Sequence, residues 1–127
     1  MAASKKILLI EDDFLLLEMY AITLSGEGYE VYKAADGRQG LDLIRKEKPD
    51  LILLDLSMPS VSGFQVLTDL KDSEEGAPGK DTPVIVISNT DERTAIEKCK
   101  ELGVKEYVVK AKTNLDQIKE IVKRHAG

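Results

Sequence analysis

The sequence predicts an α/β domain in which five parallel strands alternate with five helices, a doubly wound (βα)5 sheet with helices on both faces. Three observations predict it. Short continuous apolar runs recur at Ile7-Leu8-Leu9-Ile10, Leu51-Ile52-Leu53-Leu54 and Val84-Ile85-Val86-Ile87, as strands buried on both faces require. Segments with helical periodicity separate them. Polar or charged residues then follow the runs directly, Glu11-Asp12-Asp13 after the first, Asp55 after the second and Ser88 after the third.

Taken in order, residues 7–10 form the first strand and residues 14–25 the first helix. Residues 29–34 are a second strand whose Glu30 and Lys33 suit a position nearer the sheet edge. The second helix spans 37–47, with Leu41 and Ile44 on its apolar stripe and Lys48-Pro49 as its stop. The third strand is 51–54 and the third helix 64–72. The stretch 72–83, polar and bearing Gly and Pro, reads as a mobile surface loop. Residues 84–87 form the fourth strand; the fourth helix, 92–102, takes Asp91 as N-cap and Gly103 as stop. A fifth strand at 104–109 carries Lys105 and Glu106, again as an edge strand would, and Thr113 caps a fifth helix over 115–124. Periodicity does not reveal which strands are neighbours, but 2-1-3-4-5 is one common order for such a chain.

The 127 residues make one domain, 1–127, long enough to bury a core without staples. The single cysteine, Cys99, excludes an internal disulfide, fits a reducing cytoplasm, and reads as a small core residue. The start of the chain shows no signal peptide, and its apolar runs fall far short of the ~20 residues of a membrane span. With 18 Lys plus Arg against 23 Asp plus Glu, the net charge of −5 disfavours direct binding to nucleic acid or anionic lipid. The only histidine, His125, reads as a solvated tail residue, which removes most histidine-dependent enzyme schemes.

In a parallel sheet the strand C-termini share one edge, and the ligand crevice lies where the strand order reverses. With order 2-1-3-4-5 that point falls between the first and third strands, so Glu11, Asp12 and Asp55 converge there. Clustered carboxylates repel, so either their pKa values rise or a cation neutralises them, and a hard divalent ion bound by oxygen is the economical solution. Mg²⁺ fits, because it uses one or two protein carboxylates and leaves positions for a phosphoryl oxygen. Ser88 can donate a hydrogen bond to that oxygen and Lys110, at the end of the fifth strand, can supply positive charge. Asp55 is then the nucleophile of a phosphoryl-transfer site. Asp13 is read instead as favouring the first-helix N-terminus.

The first helix, Phe14-Leu-Leu-Leu-Glu-Met-Tyr-Ala-Ile-Thr-Leu24, has more large apolar residues than one buried stripe needs. Leu16, Tyr20 and Leu24 can face the sheet, leaving Phe14, Leu15, Leu17 or Ile22 nearer the surface as a partner site.

Four segments in order, Ile7-Leu-Leu-Ile-Glu-Asp-Asp13, Asp50-Leu-Ile-Leu-Leu-Asp-Leu-Ser-Met-Pro59 with Gly63, Val84-Ile-Val-Ile-Ser88 and Tyr107-Val-Val-Lys110, give a resemblance over essentially the whole chain. The sequence resembles the receiver domain of two-component response regulators, a chemotaxis-receiver-like, flavodoxin-like fold. The resemblance implies the 2-1-3-4-5 order and a cytoplasmic phosphoprotein of signal transduction. It implies that Asp55 accepts a phosphoryl group from a histidine kinase or histidine phosphotransfer protein. Asp12, Asp55 and the Ser57 backbone carbonyl would bind Mg²⁺, with Glu11 acting through water. Ser88 and Tyr107 would be the switch pair and Lys110 the partner of the phosphoryl group. The first helix, through Phe14, Leu15 and Leu17, would dock the phosphodonor. Phosphorylation would remodel the surface for a downstream protein target or output domain, with room for a phosphorylation-dependent dimer. With no output domain after Gly127, a stand-alone regulator is favoured slightly over an excised receiver.

One departure stands out: the family's usual proline after its lysine is replaced by Ala111-Lys112. A trans peptide is expected there, with the loop placed differently, and Lys112 becomes a candidate for part of the Lys110 role. Asn89, bulkier than the small residue often found after the switch hydroxyl, is expected to narrow access to the phosphoryl group.

The rival readings are a receiver-like interaction module that works without phosphorylation and an enzyme acting on external phosphate esters. The full set of Glu11, Asp12, Asp55, Ser88 and Lys110 argues against the module. Glu11-Asp12-Asp13 does not fit the Asp-x-Asp pattern of haloacid dehalogenase phosphatases, and neither nucleotide-binding glycine motif is present. The chain is therefore expected to catalyse only its own phosphoryl transfer and dephosphorylation.

Overall fold

The computed structural model describes residues 4–56 and 62–126. Its elements are β1 (Lys6–Ile10), α1 (Phe14–Gly26), β2 (Glu30–Ala34), α2 (Gly37–Glu47), β3 (Leu51–Leu54), α3 (Gly63–Asp72), β4 (Val84–Ser88), α4 (Arg93–Glu101), β5 (Glu106–Val109), a 3-10 turn (Lys110–Lys112) and α5 (Leu115–Ala126). The strands are all parallel and the sheet runs β2-β1-β3-β4-β5.

Alternation along each strand divides the interior into two layers. Ile7 and Leu9 point to the side covered by α1 and α5, where Leu17, Tyr20, Leu24, Ile118 and Val122 complete one core. Leu8 and Ile10 point to the other side and pack with Ile44 of α2, Val66 and Leu70 of α3 and Cys99 of α4. Both faces of β1, β3 and β4 are therefore filled by apolar side chains, which is why these strands read as unbroken apolar runs.

Helix ends follow local chemistry. Asp13 caps α1, its Oδ1 accepting from the Leu15 and Leu16 amides at 3.0 and 3.2 Å. Two expected caps are displaced by one residue. Glu92 rather than Asp91 occupies the N-cap of α4, without a side-chain cap bond. At α5 it is Asn114 rather than Thr113 that caps: its Oδ1 accepts from the Gln117 amide at 2.9 Å while Gln117 Oε1 accepts from the Asn114 amide at 3.0 Å, a reciprocal capping box. Gly103 follows α4 with φ +87, a left-handed conformation that suits glycine.

The 72–83 stretch forms hydrogen-bonded turns rather than an untethered loop, Ala77, Lys80 and Thr82 donating to Glu74, Ala77 and Gly79 carbonyls at 3.0–3.3 Å. His125 is not a solvated tail either. It lies within α5, its Nε2 3.0 Å from Glu106 Oε1, an atom that Arg124 also binds. Among the described residues no helix is long and apolar enough to cross a membrane.

Candidate functional site

The strand order brings the chemistry together. Ile10 and Leu54 are register partners at the C-terminal ends of β1 and β3, so the residues that follow, Glu11 and Asp55, emerge side by side. Their backbones are tied into the sheet edge: the Asp55 amide donates to Ile10 O at 2.9 Å and the Glu11 amide to Ala34 O at 3.0 Å. Ser88 pairs with Val109 one strand further on, which places Lys110 beside it.

Carboxylate oxygens of Glu11, Asp12 and Asp55 all lie within 4.8 Å of one another. Glu11 and Asp55 are buried, at 3% and 4% exposure, whereas Asp12 is exposed. Two buried acids at this spacing repel unless a cation lies between them. Lys110 supplies one, its Nζ 2.7 Å from Glu11 Oε1 and 3.6 Å from Asp55 Oδ2. Burial works against the charged lysine, but Glu11 and Asp55 outweigh it and hold its pKa above the ordinary lysine value. The contact to Glu11 Oε1 is an ion pair rather than a directed hydrogen bond, and the other oxygen, Oε2, accepts from the Asp13 amide at 3.1 Å. Glu11 is thus held from both sides, and Asp13 serves the helix rather than the cluster.

Lys110 therefore reaches the site with Ala111 after it; the described residues contain no cis peptide, and Lys110–Lys112 winds into a 3-10 turn. That turn carries Lys112 outward. Its Nζ lies 3.7 Å from Asp91 Oδ2 and both side chains are largely exposed, so Lys112 does not share the Lys110 position.

Ser88 is fully buried, and its Oγ accepts from the Thr90 amide at 3.2 Å. Tyr107, half-buried, donates its hydroxyl to the Thr90 carbonyl at 2.7 Å. One residue, Thr90, thus joins the two through its amide and its carbonyl. Burial raises the Tyr107 pKa, and the neighbouring Ser88 hydroxyl pulls it the other way. Asn89 is exposed beside them.

Gly63, the first residue of α3, is required by close approach: a Cβ there would lie 2.3 Å from Asp55 O and 2.5 Å from Leu56 Cα. Its amide also donates to Leu56 O at 3.0 Å. The start of α3 is therefore seated directly on the backbone of Asp55. Ser57 lies outside the described residues.

The donor set, three carboxylates and no nitrogen or sulfur, suits a hard divalent ion. The family model for the response regulator receiver domain matches residues 7–123. The chain belongs to this family. It is a receiver domain of a two-component signalling system, a phospho-accepting switch rather than an enzyme with an external substrate, and its acidic triad matches the Mg²⁺ site of receiver domains. Sporulation initiation phosphotransferase F of Bacillus subtilis is 32% identical, covering 96% of this chain and 94% of its own. Chemotaxis protein CheY4 of Vibrio cholerae superposes with a TM-score of 0.87 at 28% identity, covering 97% of this chain and 99% of that one. The receiver domain of a sensor histidine kinase from Pseudomonas aeruginosa superposes with a TM-score of 0.84 at 26% identity, covering 98% and 99%. That structure has a magnesium ion coordinated in its active site cleft.

On α1, Phe14, Leu15 and Ile22 are exposed at 70–72% and Met19 is half-exposed. Leu17 corrects the expected docking set: it is buried in the core with Tyr20 and Leu24, while Leu16 is only partly buried. The apolar residues surround this helix on every side, so its pattern has no phase from which to tell Leu16 from Leu17. Sequence reasoning placed Tyr20 in the core and missed that it also lines a small cavity with Glu11 and Asp55. Only its hydroxyl could have signalled that.

Proposed function

We propose that Asp55 is the residue that accepts the phosphoryl group, from a phosphohistidine on a histidine kinase or phosphotransfer protein. The observation that carries this is the pairing of a buried Asp55 with Lys110 in the same cluster as Glu11 and Asp12. An Asp55 oxygen attacks phosphorus as the bond from phosphorus to the donor imidazole breaks; the imidazole leaves with that electron pair and takes up a proton. Asp12 and Asp55 would ligate Mg²⁺ directly and Glu11 through water, with the Ser57 carbonyl as the remaining protein ligand of this reading. Mg²⁺, when bound, neutralises carboxylate charge and draws negative charge from the phosphoryl oxygens.

The other residues position and respond. Lys110, already 3.6 Å from Asp55, turns towards the added dianion, and the Ser88 hydroxyl donates to a phosphoryl oxygen. Turning inward to do so draws Ser88 Oγ from the Thr90 amide and loosens Thr90, the residue whose carbonyl holds Tyr107. That rearrangement is the readable change, displayed to a downstream protein target on the α4, β5 and α5 surface. Phe14 and Leu15, beside the cluster at the start of α1, form the apolar docking contact for the phosphodonor.

Intact mass after incubation with Mg²⁺ and acetyl phosphate tests the assignment. One phosphoryl increment that requires Mg²⁺ and is lost in Asp55→Ala supports it. No increment, under conditions that modify another receiver in parallel, favours an interaction module independent of phosphorylation.

A further inference from the structure

We propose that a cavity between α3 and α4, at the end of the sheet opposite the acidic cluster, binds a small monocarboxylate with an apolar body, an aryl-substituted short-chain acid being the class that fits. The inference stands apart from the phosphoryl chemistry. The cavity lies where α3 and α4 end, beside the turn at residues 79–82; it measures about 240 Å³ and opens to solvent on one side. Its floor is apolar: Leu67 and Leu70 of α3, Val84 at the start of β4, then Leu102 and Val104 after α4. Leu67, Leu70 and Val84 are buried members of the core on that face of the sheet. A dry cavity of about 150 Å³ holds one benzene ring, so this volume has room for a ring and a short chain.

Lys71 and Lys80 line the same cavity. Lys71 Nζ crosses from α3 to donate to the Glu101 carbonyl at 2.8 Å, and Lys80 Nζ donates from the turn to the Lys71 carbonyl. These bonds tether both ammoniums at the ends of α4 and α3, and each uses one of three N–H donors. Among the described residues neither ammonium is in an ion pair; the exposed Glu101 gives Lys71 its carbonyl and not its carboxylate. A helix C-terminus carries about half a unit of negative charge, so two ammoniums over two such ends leave a surplus of about one positive charge. One carboxylate balances that surplus. Its two oxygens offer about four acceptor sites, which match the donors the lysines have left. A bound acid would rest its ring on the apolar floor and join α3, the turn and α4 through its carboxylate.

Titration of the ¹⁵N-labelled chain, without metal, with three probes that share one ring and chain length tests the proposal: 3-phenylpropionate, 3-phenylpropanol and 3-phenylpropylamine. The carboxylate is expected to give saturable amide shifts centred on Leu70, Lys80, Thr82, Gly103 and Val104. The alcohol should bind at least about ten-fold more weakly at the same amides, as the loss of hydrogen bonds to charged groups would give, and the amine not at all. In the Lys71→Gln, Lys80→Gln double variant the carboxylate should fall to the affinity of the alcohol, while the alcohol keeps its own. No saturable shift with the carboxylate, shifts centred elsewhere, or equal binding of the carboxylate and the alcohol by wild type would overturn the inference, and so would wild-type carboxylate affinity in the double variant. The comparison of the three probes on wild type decides the matter even if the variant does not fold.

Discussion

Replacing Gly63 by alanine tests how the fold holds the acceptor. The added methyl would sit 2.3 Å from Asp55 O and 2.5 Å from Leu56 Cα, both backbone atoms that cannot rotate away. To restore ordinary contact, α3 and the end of β3 must separate by roughly 1 Å, an overpacking strain of about 1–3 kcal/mol. The hydrogen bond from the Gly63 amide to Leu56 O weakens with it, a further loss of about 1 kcal/mol. Against these stands the helical preference for alanine over glycine, about 0.5–1 kcal/mol. Strain wins, so Gly63→Ala should be destabilised by about 2 kcal/mol, a fall in Tm on the order of 10 °C. Urea unfolding followed by circular dichroism measures the first effect, and the rate of Mg²⁺-dependent phosphoryl uptake measures displacement of Asp55. Gly26→Ala, where a Cβ meets nothing within 4 Å at the end of α1, is the matched control and should unfold at or above the wild-type midpoint. A Gly63→Ala protein with an unchanged midpoint and wild-type uptake would refute the seating of α3 on Asp55.

Other substitutions separate the roles within the site. Lys110→Met leaves Glu11 and Asp55 buried without their cation and should cost about 3–5 kcal/mol in metal-free urea unfolding, much of it restored by Mg²⁺. Because the Lys110 pKa is raised on folding, the stability from that lysine is fully present below the unfolded value near 10.5 and is lost as pH rises through the folded pKa. A pH series should therefore show the wild-type advantage over Lys110→Met flat across the neutral range, shrinking only on the alkaline side. Asp12→Ala, exposed and outside the core, should unfold normally yet bind Mg²⁺ at least about ten-fold more weakly, read from tyrosine fluorescence in a chain without tryptophan. Paired Phe14→Ser and Leu15→Ser changes should leave uptake from acetyl phosphate intact and slow transfer from a phosphotransfer protein; Leu17→Ala should cost about 2–4 kcal/mol of stability.

The parts of this molecule that depend on local pattern were legible in the sequence. Buried central strands force continuous apolar runs, and the residue after each run must fall at one sheet edge, so Glu11, Asp55, Ser88 and Lys110 could be brought together before any coordinates. Helix ends were less legible where two capping residues stand side by side, as Thr113 and Asn114 do, because only backbone geometry decides which one takes the cap. Periodicity does not assign a face to α1, whose apolar residues occupy all sides, and Leu17 was misplaced for that reason. The turn after β5 is set by tertiary contacts, so its outward delivery of Lys112 to Asp91 and the tie between His125 and Glu106 left no local trace. Tyr20 belongs to the same class: its spacing marks it as core, and only the folded sheet edge brings it to one small cavity with Glu11 and Asp55.

The most direct test of Asp55 as acceptor is to trap the acyl phosphate chemically. The protein is incubated with Mg²⁺ and acetyl phosphate, reduced with borohydride, which converts an aspartyl phosphate to homoserine, and digested for peptide mass analysis. Homoserine at position 55, dependent on Mg²⁺, is the predicted result. Homoserine at Asp12 or another acid with position 55 intact, or none in a chain that carries the phosphoryl mass, would contradict it.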